Sequence, residues 1–281
     1  MKGKVIVITG ATSGIGEVAA QRLAALGARM VLIARDPARG QEALNRLASR
    51  GGDAKHSIYY ADLSRISETK RVAAQIAAAE PRVDVLINNA GALFSAREVT
   101  ADNLEKTFAT NHMSYFVLTL GLRASLLAAA PARVVSTASD AHKGYTLDFE
   151  DLQGEKGYSA IKAYGRSKLC NILFTRELGR RFSGTGVTAN CLHPGFVATR
   201  FGDASGGLLS RVVRMAKTFA ISPEKGAQTI VYLATSPEVA NISGQYFYRC
   251  RPAVPTEGGR DDAAATRLWT ESAKIAGIDN N

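Results

Sequence analysis

The chain alternates short apolar runs rich in β-branched residues with longer, alanine-rich stretches of helical period. The first run, Val5-Ile6-Val7-Ile8-Thr9, passes straight into Gly10-Ala11-Thr12-Ser13-Gly14-Ile15-Gly16, and apolar positions then recur with helical spacing through Leu23 and Ala24. This predicts a buried strand, a tight glycine turn and a helix. Runs at 29–33, 57–60, 83–87, 133–135 and 186–192 repeat the alternation. Strands this apolar are covered on both faces, so the pattern predicts an α/β fold: one doubly wound parallel sheet with helices on both faces, spanning 1–281 as a single domain.

In such sheets ligands bind beyond the carboxyl ends of the strands, near the point where strand order reverses. The strand ends here read Ala34-Arg35-Asp36-Pro37, Ala61-Asp62-Leu63, Asn88-Asn89-Ala90-Gly91, Ser136-Thr137-Ala138-Ser139 and His193-Pro194-Gly195. Small or polar residues at every end point to a ligand lying across that edge. The glycine turn suits a pyrophosphate, because glycine lets the backbone approach closely and the first N–H groups of the following helix favour negative charge. A Rossmann-type dinucleotide site is therefore expected. Gly10, Gly14 and Gly16 follow a TGxxxGxG spacing rather than GxGxxG, and the turn by itself also fits plain strand-helix geometry.

The second strand end selects among dinucleotides. An acidic residue there would bind a ribose 2′-hydroxyl and repel a 2′-phosphate; Ala34 occupies the place and Arg35 follows, which points to NADP(H). Asp36 before Pro37 reads as the cap of the next helix. The alternative is a solvated Arg35 with NAD.

Downstream, Tyr164-Gly165-Arg166-Ser167-Lys168 lies in a helix expected over 160–182, so Tyr164 and Lys168 share a face. A phenol titrates near 10, and an ammonium together with an oxidised nicotinamide would favour the phenolate, giving an acid/base pair. The spacing alone occurs on many exposed helices; the upstream glycine turn gives it weight.

Composition adds exclusions. The chain has 281 residues, 46% hydrophobic, with no apolar run of membrane-spanning length and a first strand beginning close to Met1; a cytoplasmic protein without a transmembrane segment is expected. The net charge of +10 is scattered along the helices, so no nucleic-acid partner is expected. Three cysteines, Cys170, Cys191 and Cys250, and four histidines show no ligand spacing, so no metal is expected. Residues 200–222 carry a helical apolar stripe, Leu208, Leu209, Val212, Val213, Ala216 and Phe219, after several glycines. This segment is read as a substrate lid, with core packing and an anionic membrane surface as alternatives. Leu93, Phe94, Tyr145, Leu147 and Phe149 are expected in loops near the same edge, favouring a medium to bulky hydrophobic aldehyde, ketone or alcohol.

TGATSGIG, NNAG, YGRSK and HPG occur in that order, and with them the chain resembles the short-chain dehydrogenase/reductase superfamily over essentially its whole length. Ser139-Asp140-Ala141-His142, Phe149-Glu150-Asp151-Leu152, Glu155-Lys156-Gly157-Tyr158 and the run Ser167 to Thr175 look like its retinol dehydrogenase branch, as do Gly244-Gln245-Tyr246-Phe247 and Arg267-Leu268-Trp269. Two features depart from that branch: the N-terminal membrane anchor of its membrane-bound members is not expected here, and strand five ends Ser136-Thr137-Ala138-Ser139 where Asn-Val-Ser-Ser is usual.

The resemblance implies hydride transfer between a nicotinamide and a carbonyl or alcohol carbon, with Tyr164 exchanging the proton. It gives Lys168 a second task at the nicotinamide ribose and makes Ser139 the group that polarises the carbonyl, with Ser136 as the rival serine. It sets Asn111 against a water beside the lysine. The implied cofactor set is Gly10, Thr12, Ser13, Gly14, Ile15, Gly16, Arg35, Asp62, Leu63, Asn89, Ala90, Gly91, Tyr164, Lys168, Pro194, Gly195, Val197 and Thr199. Relatives pair through the helices carrying Asn111 and Tyr164, so a homo-oligomer is expected. A catalytically silent NADP sensor and a protochlorophyllide-like double-bond reductase stay open as alternatives.

Overall fold

The computed structural model describes residues 1–49, 55–196 and 221–279. Eight strands among these residues form one sheet in the order β3-β2-β1-β4-β5-β6-β7-β8. The strands are β1 (Val5–Thr9), β2 (Arg29–Ala34), β3 (Ser57–Tyr60), β4 (Val85–Asn88), β5 (Ala132–Thr137), β6 (Val187–His193), β7 (Tyr246–Tyr248) and β8 (Arg251–Ala253). All pairings are parallel except that of β7 with β8. The order reverses between β1 and β4, and in such sheets this switch point is where ligands bind, beyond the carboxyl ends of the strands.

Alternation along the strands builds a core on each face. Ile6, Ile8, Met30 and Leu32 pack with α1 (Gly14–Ala25) and α2 (Pro37–Ala48). Val7, Val31 and Ile33 point the other way, toward α3 (Ile66–Ala79) and the helical rod that follows β4. That rod comprises α4 (Lys106–Phe108), a π-helical turn (Ala109–Met113) and α5 (Ser114–Gly121), before the chain bends into α6 (Arg123–Ala129). Beside it lies α7 (Ala160–Arg181), within one residue of the sequence expectation. After β6 come α8 (Pro223–Gly226) and α9 (Gln228–Thr235) on the α1 side.

The last helix, α10 (Asp262–Ala276), packs on α7. Trp269 stacks on Phe174 at 5.9 Å and meets Phe116 edge-on at 5.0 Å, while the Arg181 guanidinium lies 4.5 Å from its ring centre. α10 thus packs both on α7 and on the rod that carries Asn111. Among the described residues no single helix is long and apolar enough to cross a membrane.

Candidate active site

The parallel sheet brings every described strand end of interest to one edge. At the first, β1 ends in Thr9, whose Oγ1 accepts from the backbone N–H groups of Asn89 and Ala90, both at 2.9 Å. Asn89 returns the link, its Nδ2 donating to the Thr9 and Gly10 carbonyls at 3.1 and 3.3 Å. The two strands flanking the switch point are thereby tied together just where the glycine turn begins. Gly10 has φ of +69°, and a Cβ there would lie 2.9 Å from the Ala90 Cα. At Gly16 a Cβ would overlap the Gly10 carbonyl oxygen and the Asn89 amide, so only glycine lets α1 start this close to the sheet. Ser13, the residue before α1, makes no side-chain cap, which leaves the first helical N–H groups facing the edge.

Arg35 follows β2 and is exposed; among the described residues it forms no ion pair. Asp36 caps α2 as its sequence position predicts, its Oδ1 accepting from the Arg39 N–H at 2.9 Å. Asp62 Oδ1 accepts from the N–H and hydroxyl of Ser64 at 3.0 and 2.8 Å, which fixes the turn after β3. Leu63 is partly buried against the α3-side core, and Ile15 against the α1-side core. Thr12, Ser13 and Gly14 are half-buried at the turn.

On α7, Tyr164 and Lys168 stack one turn apart, with the Lys168 Nζ 5.5 Å from the Tyr164 ring centre. Lys168 is 2% exposed and donates to the Thr137 carbonyl at 3.0 Å. Asn171, one turn further, donates to the same carbonyl at 3.2 Å. Burial lowers the Lys168 pKa from 10.5 to about 7. Burial also pushes the Tyr164 phenol above its ordinary value, and a hydrogen bond with Ser139 pulls it back. In the polypeptide by itself the lysine therefore gives the phenol less cationic help than its spacing suggests, because the same burial that aligns the pair disfavours the ammonium.

Asn111 sits in the π-helical turn and is fully buried. Its amide brackets Ala92, accepting from the N–H at 2.8 Å and donating to the carbonyl at 2.9 Å. It donates as well to Ser167 Oγ at 2.9 Å, which in turn donates to the Tyr164 carbonyl at 2.7 Å. Ser167 thus connects Asn111 to the Tyr164 backbone, a role the sequence reading did not assign. Only its place immediately before Lys168 could have pointed to it. A Cβ on Gly91 would come within 3.3 Å of the Asn111 Oδ1 and 3.4 Å of the Lys168 Nζ, so the missing side chain keeps the space in front of the lysine open.

Ser136 lies inside β5 with its hydroxyl buried, whereas Ser139 lies past the strand end, on the Tyr164 side. Pro194 and Gly195 follow β6 at the same edge; Val197, Thr199 and the expected lid up to residue 220 lie outside the described residues. The expected apolar wall divides. Tyr145, Leu147 and Phe149 pack against the core, and the Tyr145 ring sits where a Cβ on Gly165 would be. Leu93 is 8% exposed, and the Phe94 carbonyl accepts from the Tyr158 hydroxyl at 2.8 Å. Among the described residues no group of three or more His, Cys, Asp or Glu could hold a metal.

The arrangement brings to one edge an uncapped helix start, an exposed arginine with no ion pair among the described residues, and the Tyr164 phenol, Ser139 hydroxyl and Lys168 amine. These features would suit a dinucleotide. Comparison with known proteins agrees. The family model described as short chain dehydrogenase matches residues 4–206. Retinol dehydrogenase 14 of Mus musculus is 40% identical over 291 residues, covering 99% of this chain and 87% of that protein. Retinol dehydrogenase 13 of Homo sapiens is 38% identical over 285 residues, covering 99% and 86%. Among solved structures, an uncharacterised protein from Mycobacterium paratuberculosis aligns over 100% of this chain and 96% of its own, with a TM-score of 0.79 and 28% identity. The Pseudomonas aeruginosa RhlG/NADP active-site complex aligns over 88% and 94%, with a TM-score of 0.71 and 26% identity.

Proposed function

Since the chain belongs to the short-chain dehydrogenase family and is retinol dehydrogenase-like within it, we propose that it is an NADP(H)-dependent oxidoreductase acting on a carbonyl or alcohol carbon of a hydrophobic substrate. The observation that carries this reading is the convergence of Tyr164, Ser139 and Lys168 at the carboxyl edge of the sheet, beyond the end of β5. Bound there, the nicotinamide supplies or takes up the hydride.

The chain's own residues do the rest. In reduction the Tyr164 hydroxyl hands its proton to the substrate oxygen, and in oxidation it takes that proton back. The Ser139 hydroxyl donates to the same oxygen as charge develops on it, an electrostatic contribution aimed at the transition state. Lys168, anchored to Thr137, would hold the ribose hydroxyls of the bound cofactor with its remaining N–H groups. Asn111 and Ser167 hold the α7 backbone at Tyr164, so the phenol has a fixed origin. The names of the relatives make retinol and its aldehyde the first substrate pair to try.

The cofactor choice rests on Arg35. Its exposed guanidinium, unpaired among the described residues, can form parallel charge-assisted bonds with a 2′-phosphate. We expect the wild type to prefer NADPH over NADH. Loss of such bonds is worth about 1.5–3 kcal/mol, so Arg35→Ala should raise the Michaelis constant for NADPH about tenfold or more and leave that for NADH nearly unchanged. Equal cofactor preference in both proteins would remove the argument.

A further inference from the structure

Ser139 owes its placement to a turn that packs against α7 but is also held from the far side. It precedes a 3₁₀ turn, Asp140–His142, and its hydroxyl accepts from the Ala141 N–H at 3.1 Å. Two contacts fix that turn from outside. The His142 ring donates through Nδ1 to the Ser139 carbonyl at 2.7 Å, while its Nε2 accepts from the Thr256 N–H at 3.2 Å, so the ring is neutral with both nitrogens in use. The Asp140 N–H donates to Nδ1 of His193 at 3.2 Å, across from β6.

His193 is held in its turn. Its ring stacks on Tyr248 of β7 with centres 5.1 Å apart, and its Nε2 lies 4.0 Å from the Asp140 Oδ2. The Asp140 carboxylate is bound from two sides, by the Tyr246 hydroxyl and the Lys143 ammonium, each at 2.7 Å. His193 directly precedes Pro194 and Gly195, so one imidazole joins the turn carrying Ser139 to the loop at the end of β6. An Nδ1 that accepts a backbone N–H fixes the tautomer and leaves the proton on Nε2, toward Asp140.

We propose that His193 is a positioning residue for Ser139: by accepting the Asp140 N–H it holds the serine hydroxyl against Tyr164, and turnover depends on that acceptor while cofactor binding does not. This rests on the role given to Ser139 under the proposed function. An imidazole serving only as packing for Tyr248 would be replaced by any ring of similar size. An acceptor for a backbone N–H can be replaced only by another acceptor at the same place, and asparagine Oδ1 is the side-chain atom that comes nearest to Nδ1.

The test compares wild type with His193→Phe and His193→Asn, reading kcat with NADPH and a carbonyl substrate, NADPH affinity by fluorescence titration, and amide exchange of the peptide containing Asp140 by mass spectrometry. His193→Phe should lower kcat at least tenfold, leave NADPH affinity within twofold and speed exchange at the Asp140 amide. His193→Asn should restore kcat to within a few fold of wild type and restore protection. The proposal is overturned if His193→Phe keeps wild-type kcat and protection, or if both variants lose kcat and NADPH affinity together. If exchange responds as expected but wild type turns over no carbonyl substrate, the positioning contact stands and the reading of Ser139 as a carbonyl-polarising group falls.

Discussion

Replacing Lys168 by methionine should stabilise the polypeptide while abolishing its turnover. The amine is 2% exposed, and burial brings its pKa from 10.5 down to about 7. An unfolded chain keeps the proton up to about pH 10.5, whereas the folded chain gives it up near 7, so folding is opposed wherever the proton must be carried in or released. That displacement opposes folding by about 5 kcal/mol below pH 7 and about 4 kcal/mol at pH 7.5, and fades toward zero near pH 10.5. Methionine puts an unbranched apolar chain in the buried place of the lysine and loses the bond to the Thr137 carbonyl, about 1 kcal/mol. That carbonyl still accepts from Asn171, so it is not stranded. The expected net gain is about 3 kcal/mol at pH 7.5, shrinking as pH rises. Urea unfolding followed by fluorescence of Trp269, the one tryptophan in the chain, measures it. A variant no more stable than wild type at pH 7.5, or a difference of equal size at pH 7 and pH 10, would refute the reasoning.

Two further outcomes follow from the same geometry. Gly16→Ala should abolish NADPH binding by fluorescence titration, because the added methyl overlaps the Gly10 carbonyl and the Asn89 amide and forces α1 off the sheet edge; wild-type affinity in that variant would contradict the account of the turn. His112 is fully buried against Phe108 and Phe174, its Nε2 hydrogen-bonded to Ser272 Oγ at 2.8 Å, and burial lowers its pKa from 6.5 to about 3. The unfolded chain protonates first as pH falls below 6.5, so lowering the pH from 7 to 5 should cost about 2 kcal/mol of stability through this group. His112→Gln should flatten that part of the urea-midpoint profile, and an unchanged slope would count against it.

Much of the fold was legible because its signals are local. The five apolar runs after β1 each became a strand of the parallel sheet, and Asp36-Pro37 became a capped helix start. Tyr164 and Lys168 came out on one face because helix geometry alone dictates it. What the sequence hid depends on tertiary contact. β7 and β8 are three residues each, and their turn uses Arg249 and Cys250 at φ of +51° and +59° rather than the Asn-Gly that marks a hairpin. The docking of α10 rests on Trp269 finding Phe116 and Phe174, far apart in the chain. The π-helical turn around Asn111 is set by that side chain's bonds to Ala92 and Ser167, which no periodicity reveals. Tyr145, Leu147 and Phe149, expected in loops beside a substrate, pack partly buried against the core, a contact that no local pattern announces.

The central claim is that the Tyr164 phenol exchanges the proton of a carbonyl or alcohol. It is tested most directly by following NADPH oxidation at 340 nm with a hydrophobic aldehyde, retinal first, for wild type and Tyr164→Phe side by side. The account predicts turnover by the wild type and a loss of at least a hundredfold in kcat for the variant, about 3 kcal/mol of transition-state stabilisation, with NADPH affinity kept. Undiminished turnover by Tyr164→Phe would contradict it.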